Sequence, residues 1–126
     1  MSRIVVESHK GRRILGQLGP GEDLIGGLLG VCRKHRVRAG ALRISGVLQD
    51  LALANYDGAG KGMTAPRTFR GAVMLLSGEG VVAEYKGKND IALRVVISRQ
   101  RDNGVEVLGG QCTGARVVSC EFIIDA

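Results

Sequence analysis

The sequence predicts an α+β domain in which one main helix packs on a mostly antiparallel sheet. Apolar residues recur at three- and four-residue steps in only one segment, Asp23 to about His35, and this spacing is typical of an amphipathic helix. Most of the remaining chain alternates apolar and polar residues over short runs. The connections between these runs are too short for parallel crossovers. With 126 residues, the chain is expected to form a single domain over 1–126.

The first elements are two short strands followed by the helix. Arg3 to Val6 and Arg13 to Leu18 are predicted as two short strands, and HKGRR lies between them as a turn. The acidic pair Glu22 and Asp23 then places negative charge at the electropositive N-terminus of the helix. The basic run RKHRVR follows the helix and complements its C-terminus.

Seven further strands are predicted after the helix. Glycine-rich or polar segments such as YDGAGKGMTAP, KGKND and RQRDNG separate several of them and have the composition of turns. The predicted strands are Ala41 to Val47, Asp50 to Tyr56, Ala72 to Leu76, Gly80 to Tyr85, Asp90 to Ser98, Val105 to Leu108 and Ala115 to Ile124.

Composition restricts the classes of function. Aromatic residues make up only 3% of the chain, which argues against recognition of single strands by aromatic stacking. No two of the three cysteines form a CxxC motif. This cysteine usage is consistent with a reducing compartment. We find neither a signal peptide nor an apolar run long enough to span a bilayer. A cytoplasmic protein that does not associate with membranes is expected.

No motif in the sequence assembles a catalytic centre. GAGKGMT lacks the first glycine and the Ser or Thr of a phosphate-binding loop, so a mobile hairpin loop is the better interpretation. The two histidines, His9 and His35, have no suitably spaced partner for a metal or a nucleophile. Asp23 and Glu22 are better explained by helix capping. We therefore expect no enzyme, no catalytic residue and no cofactor.

The basic residues are more suggestive, because the formal net charge is +6. Clusters of this kind contact nucleic-acid phosphates if the fold brings them onto one side, although each alone is also typical of a solvated surface. The candidate DNA contacts are Arg33, Lys34, Arg36 and Arg38 at the helix end, Arg67 and Arg70 after the glycine-rich loop, and Arg99 and Arg101 in a turn.

Arg94 is unusual within the predicted strand DIALRVVIS. The alternate residues Ile91, Leu93, Val95 and Ile97 predict one buried face, while Ala92, Arg94 and Val96 form the other. A permanently charged guanidinium between two apolar neighbours requires a partner if it is buried.

The order of GEDL, RKHRVRAG, ISGVLQDLALANYD, MLLSGEG and VLGGQ resembles the plant and prokaryote conserved (PPC) domain, over about residues 15–124. The resemblance implies an α+β fold and a homotrimer. It also implies association with DNA, since single-domain prokaryotic members are described as DNA-binding. The leading hypothesis is therefore a non-enzymatic homotrimer that binds duplex DNA at the nucleoid through phosphate contacts, with little base readout. The competing interpretation is a trimeric small-anion or protein-binding module that uses the pocket around Arg94 and Gln111 and does not bind DNA.

The resemblance further implies a divalent-metal site, because prokaryotic members share an HxH strand and a later GGH. Those positions are Ala92, Arg94 and Gln111 in this sequence, and a guanidinium cannot lose its proton to bind a metal. We expect no metal here, and the vacated inward-facing pocket is a candidate site for a small anion such as a carboxylate or a phosphate. The favoured interpretation is that Arg94 pairs with Glu79, Glu106 or Glu121 across a strand or a subunit boundary, since buried charges are normally paired.

Overall fold

The computed structural model describes residues 11–60 and 62–126. Strands account for most of these residues, and the predicted strand at Arg3 to Val6 lies outside them. The elements in chain order are β1 (Arg13–Leu18), α1 (Leu24–Lys34), β2 (Ala39–Ala54), β3 (Tyr56–Asp57), β4 (Gly62–Met63), β5 (Arg67–Tyr85), β6 (Lys88–Arg101) and β7 (Gly104–Asp125).

The long strands close into a small barrel. Neighbouring strands follow the order β1-β7-β2-β5-β6, and β6 pairs in addition with β7. One edge of β7 pairs with β2, while its other edge pairs first with β6 and then with β1. The pairings are antiparallel, as predicted. The predicted fold class is nevertheless wrong, because the sheet closes on itself and the single short helix does not form a layer on an open sheet.

Two glycines within the strands lie where neighbouring strands approach each other closely. Gly46 has φ +133°, and a Cβ there would clash with the carbonyl oxygen of Ser119 on β7. A Cβ at Gly80 would clash with the carbonyl oxygen of Ala92 on β6. These glycines therefore mark close approaches of neighbouring strands rather than turns. Predicted pairs of short strands fuse into β2, β5 and β7.

The helix forms as its sequence predicts. Asp23 is its N-cap, and the carboxylate accepts a hydrogen bond from the Gly26 amide at 2.8 Å, which confirms the capping interpretation. Leu24, Leu28 and Cys32 are buried and pack into the hydrophobic core formed by the inward-facing strand residues. Within residues 11–60 and 62–126, no helix is long and apolar enough to cross a membrane.

Candidate functional sites

The C-terminal end of α1 presents exposed cations around one buried anchor. Val37 is buried, and its amide donates to the Cys32 carbonyl at 2.9 Å, so the chain turns back onto the core there. Arg33, Lys34 and Arg36 are exposed around this anchor. Arg12 adds a further cation, because its guanidinium donates to the His35 carbonyl at 2.8 Å.

Strand pairing brings two more lysines to the same end of the barrel. The first residue of β2, Ala39, pairs with Ala83 near the end of β5, and the β5–β6 hairpin that follows carries Lys86 and Lys88. Arg38 approaches Glu84 at 3.8 Å across this junction. We call this surface the basic end, formed by Arg12, Arg33, Lys34, Arg36, Arg38, Lys86 and Lys88. The sequence did not indicate the two lysines, because they join the cluster only through the β2–β5 pairing.

The other candidate arginines lie at the opposite end of the long strands. The start of β5 pairs with the end of β2, and the end of β6 pairs with the start of β7. Because β2 has 16 residues, its two ends are separated by about 50 Å of strand at ~3.3 Å per residue, less any bend. The candidates at this far end are Arg67, Arg70, Arg99 and Arg101. The eight predicted DNA contacts therefore form two separate groups.

Two of the far-end arginines share one carboxylate. Arg99 and Arg101 donate to Glu106 at 2.9 and 3.2 Å, and these hydrogen bonds lower the pKa of the Glu106 carboxyl. The guanidinium of Arg99 also lies 5.1 Å from the centre of the Phe69 ring, and that of Arg67 lies 5.0 Å from it. Much of the far-end charge is thus engaged in local structure.

Burial along β6 confirms the predicted alternation, but Arg94 points outward and not inward. The residues Ile91, Leu93, Val95 and Ile97 are buried, whereas Ala92, Arg94 and Val96 are exposed on the outer face of the barrel. The expected inward-facing pocket is therefore wrong. Register places Arg94 between Glu79 on β5 and Gln111 on β7.

Arg94 makes no ion pair with any of its three predicted partners. Among the described residues, no carboxylate oxygen lies within 4.0 Å of its guanidinium, and Glu106 binds Arg99 and Arg101 instead. Arg94 and Gln111 line an outer cavity of about 340 Å³, which Ala92 does not reach. The other residues that line it are Ala54, Asn55, Tyr56, Met63, Ser77, Glu79, Val95, Val96 and Gly110.

A protein-family model named the Plants and Prokaryotes Conserved (PCC, also written PPC) domain matches residues 5–126. The chain belongs to this family. The match covers nearly the whole chain and confirms the resemblance inferred from the motif order. No curated protein matches the chain significantly.

Solved structures similar to this PPC chain share its fold. A protein from Archaeoglobus fulgidus, described as metal-containing, is 22% identical with a TM-score of 0.82, and the match covers 98% of this chain and 84% of that one. A PPC protein from Pyrococcus horikoshii is 19% identical with a TM-score of 0.80, over 95% and 83% of the two chains. A "putative DNA binding protein" from Bacteroides thetaiotaomicron is 16% identical with a TM-score of 0.77, over 89% and 76%.

The donor set of this PPC chain does not fit a metal at the positions implied by the resemblance. Ala92 has no donor atom, Arg94 is a permanent cation, and Gln111 offers only an amide oxygen. The described part of the chain holds no group of three His, Cys, Asp or Glu residues that could bind a metal ion. The neighbouring thiol of Cys112 is buried, and burial raises its pKa to about 11, so it is a poor thiolate ligand near neutral pH.

Proposed function

We propose that this PPC chain is a non-enzymatic protein that binds duplex DNA through phosphate contacts made by its basic end. The observation that carries the proposal is the convergence of helix-end and hairpin cations on one surface. Within the described residues, Arg38 is the one member of the basic end with a carboxylate partner within 4.0 Å. Exposed cations without such partners are available to neutralise phosphates, which gives binding with little sequence preference.

The remaining four candidates contribute less in this proposal. Arg99 and Arg101 already neutralise Glu106, and replacing that carboxylate with a phosphate gains little. Arg67 and Arg70 lie at the same far end, so a straight duplex seated on the basic end does not reach them. The proposal therefore assigns phosphate contacts to Arg33, Lys34 and Arg36 and adds Lys86 and Lys88, while Arg38 lies beside Glu84.

We further propose that the chain acts as a homotrimer. Met74, Val105 and Val107 are at least half exposed on the outer face of neighbouring strands, and Met74 and Val107 both flank Ser98 by register. Exposed apolar patches of this kind are typical of self-association surfaces. Three copies of a +6 chain carry +18, and linked weak sites bind DNA more tightly than single ones. Such a protein would act at the nucleoid in the cytoplasm.

Fluorescence anisotropy with a labelled 25-base-pair duplex tests DNA binding, and light scattering after size-exclusion chromatography tests assembly. We expect binding that weakens steeply with added salt, and a mass of three chains. A Val107→Lys variant should reduce that mass and retain the native circular-dichroism spectrum. Absence of duplex binding at 50 mM salt would exclude the proposed function, and a monomeric wild-type chain would exclude the proposed assembly.

A further inference from the structure

The outer cavity beside Arg94 is lined by strand residues and by a short hairpin. The β3–β4 hairpin contributes Tyr56 and Met63 to the lining, and these residues are 69% and 50% exposed. Two hydrogen bonds hold the base of this hairpin: the Asn55 amide donates to the Thr64 hydroxyl at 3.0 Å, and the Thr64 amide donates to the Asn55 carbonyl at 2.7 Å. These bonds anchor the base of the hairpin beside the cavity.

A glycine in β7 allows the polar side of the cavity to form. A Cβ at Gly110 would lie 2.9 Å from the Ala54 carbonyl oxygen and 3.0 Å from the Asn55 side chain, which is closer than real Cβ atoms approach. Gly110 therefore leaves room for the Asn55 amide. Arg94, Asn55 and Gln111 then supply the hydrogen-bond donors on this side of the cavity.

The chemistry of the lining indicates what would bind. The guanidinium of Arg94 has no carboxylate within 4.0 Å among the residues that the structure describes, and its planar fork suits a carboxylate. The lining also includes the apolar side chains of Met63 and Val96 and the ring of Tyr56. Glu79 also lines the cavity and repels a dianion more strongly than a monoanion. These features favour a singly charged ligand with an apolar body.

We propose that this cavity binds a small organic monocarboxylate, with the carboxylate on Arg94 and the apolar body against Tyr56, Met63 and Val96. A volume of about 340 Å³ is at the small end of the range for ligand pockets, so a ligand the size of phenylacetate fits. This site is separate from the basic end, because Arg94 lies six residues along β6 from Lys88. It does not depend on DNA binding.

Titration of the ¹⁵N-labelled full-length chain with sodium phenylacetate tests the proposal by NMR. We expect amide shifts confined to the cavity and a dissociation constant of about 1 mM, in keeping with a ligand of this size. The neutral isostere phenylacetamide should bind at least about tenfold more weakly, because it lacks the charge-assisted hydrogen bonds. Inorganic phosphate should produce no shifts at the cavity.

Two variants should shift the affinity in opposite directions. Arg94→Gln should weaken phenylacetate binding about tenfold or more, and Glu79→Gln should strengthen it about threefold by removing a nearby like charge. Arg70→Gln removes the same charge as Arg94→Gln from outside the cavity and should leave the affinity unchanged. Arg94, Glu79 and Arg70 are exposed, so the three variants should fold.

Several results would overturn the proposal. The proposal fails if phenylacetate, benzoate and hexanoate all leave the cavity amides unshifted at 20-fold the expected dissociation constant, or if phenylacetamide binds as well as phenylacetate. Equal weakening by Arg94→Gln and Arg70→Gln would show that long-range charge, and not the cavity, attracts the anion. Each of these outcomes leaves the DNA-binding proposal untouched.

Discussion

Replacement of Arg33 and Arg36 by glutamine removes two positive charges from the basic end. Both side chains are exposed, and within the described residues neither has a hydrogen-bond partner or a carboxylate within 4.0 Å. The Arg36 carbonyl accepts from Arg12 at 3.2 Å, and a glutamine keeps that carbonyl. The double variant should therefore lose phosphate contacts and keep the fold.

The expected loss follows from counterion release. Arg33, Lys34, Arg36, Lys86 and Lys88 are the basic-end side chains without a hydrogen bond or carboxylate partner among the described residues. If each contacts one phosphate, log K falls with log[salt] at a slope of about −4.5 per protomer. Between 50 and 200 mM salt the affinity then drops about 500-fold. The double variant keeps three contacts, so its slope is about −2.7 and its drop about 40-fold.

Anisotropy titrations at 50, 100, 150 and 200 mM salt give the two slopes. The matched control is Arg67→Gln with Arg70→Gln, which removes the same charge from the far end of the barrel. This control should retain the wild-type slope, because its side chains do not contact the duplex in the proposed complex. Equal slopes for the two double variants would refute the assignment, since they would show that net charge alone determines binding.

Three further predictions concern stability and reactivity. Because hydrogen bonds from two arginines lower the pKa of Glu106, its carboxylate stabilises the fold above the unfolded pKa, and this contribution disappears as the pH falls through the lowered native pKa. Glu106→Gln should thus lower the melting temperature at pH 7 but not at pH 2.5; a pH-independent difference would contradict this. Burial raises the pKa of Cys112 and Cys120 to about 11, so Ellman's reagent at pH 8 should modify them only after unfolding, and rapid modification of the native chain would contradict their burial. Gly46 has φ +133° and lies against the Ser119 carbonyl, so Gly46→Ala should lower the free energy of unfolding measured in urea by about 2–4 kcal/mol. An unchanged urea midpoint would show that the strands separate freely.

Local patterns predicted the elements that depend on local physics. The helix was predictable because Asp23 caps it and Leu24, Leu28 and Cys32 recur at helical spacing. The buried alternation of β6 was likewise visible in the sequence. Barrel closure was not predictable from the sequence. It depends on pairing between β6 and β7 and on glycines that a single sequence cannot distinguish from turn glycines.

The candidate sites also divide into features that local sequence predicts and features that strand register determines. The sequence identified the cations at the helix end, but their separation from Arg99 and Arg101 is a consequence of strand register. Lys86 and Lys88 looked like ordinary turn residues, and only the β2–β5 pairing places them beside the helix end. The inward direction of Arg94 was predicted wrongly because the resemblance implied a metal pocket at its position, whereas Ala92, Arg94 and Val96 are exposed on the outer face of the barrel.

Strand β6 relates the two proposed sites and explains why they should act independently. Its outer face carries Lys88 at the basic end and Arg94 in the cavity. Six residues of strand separate them by about 20 Å, which is twice the Debye length of about 10 Å at 0.1 M salt. Occupation of the cavity by a carboxylate therefore changes the potential at the basic end very little. Arg94→Gln should accordingly leave the salt dependence of DNA binding at its wild-type slope, while Arg33→Gln with Arg36→Gln leaves phenylacetate binding unchanged. A ligand that altered DNA binding at this ionic strength would have to act through the assembly of the chains and not through its charge.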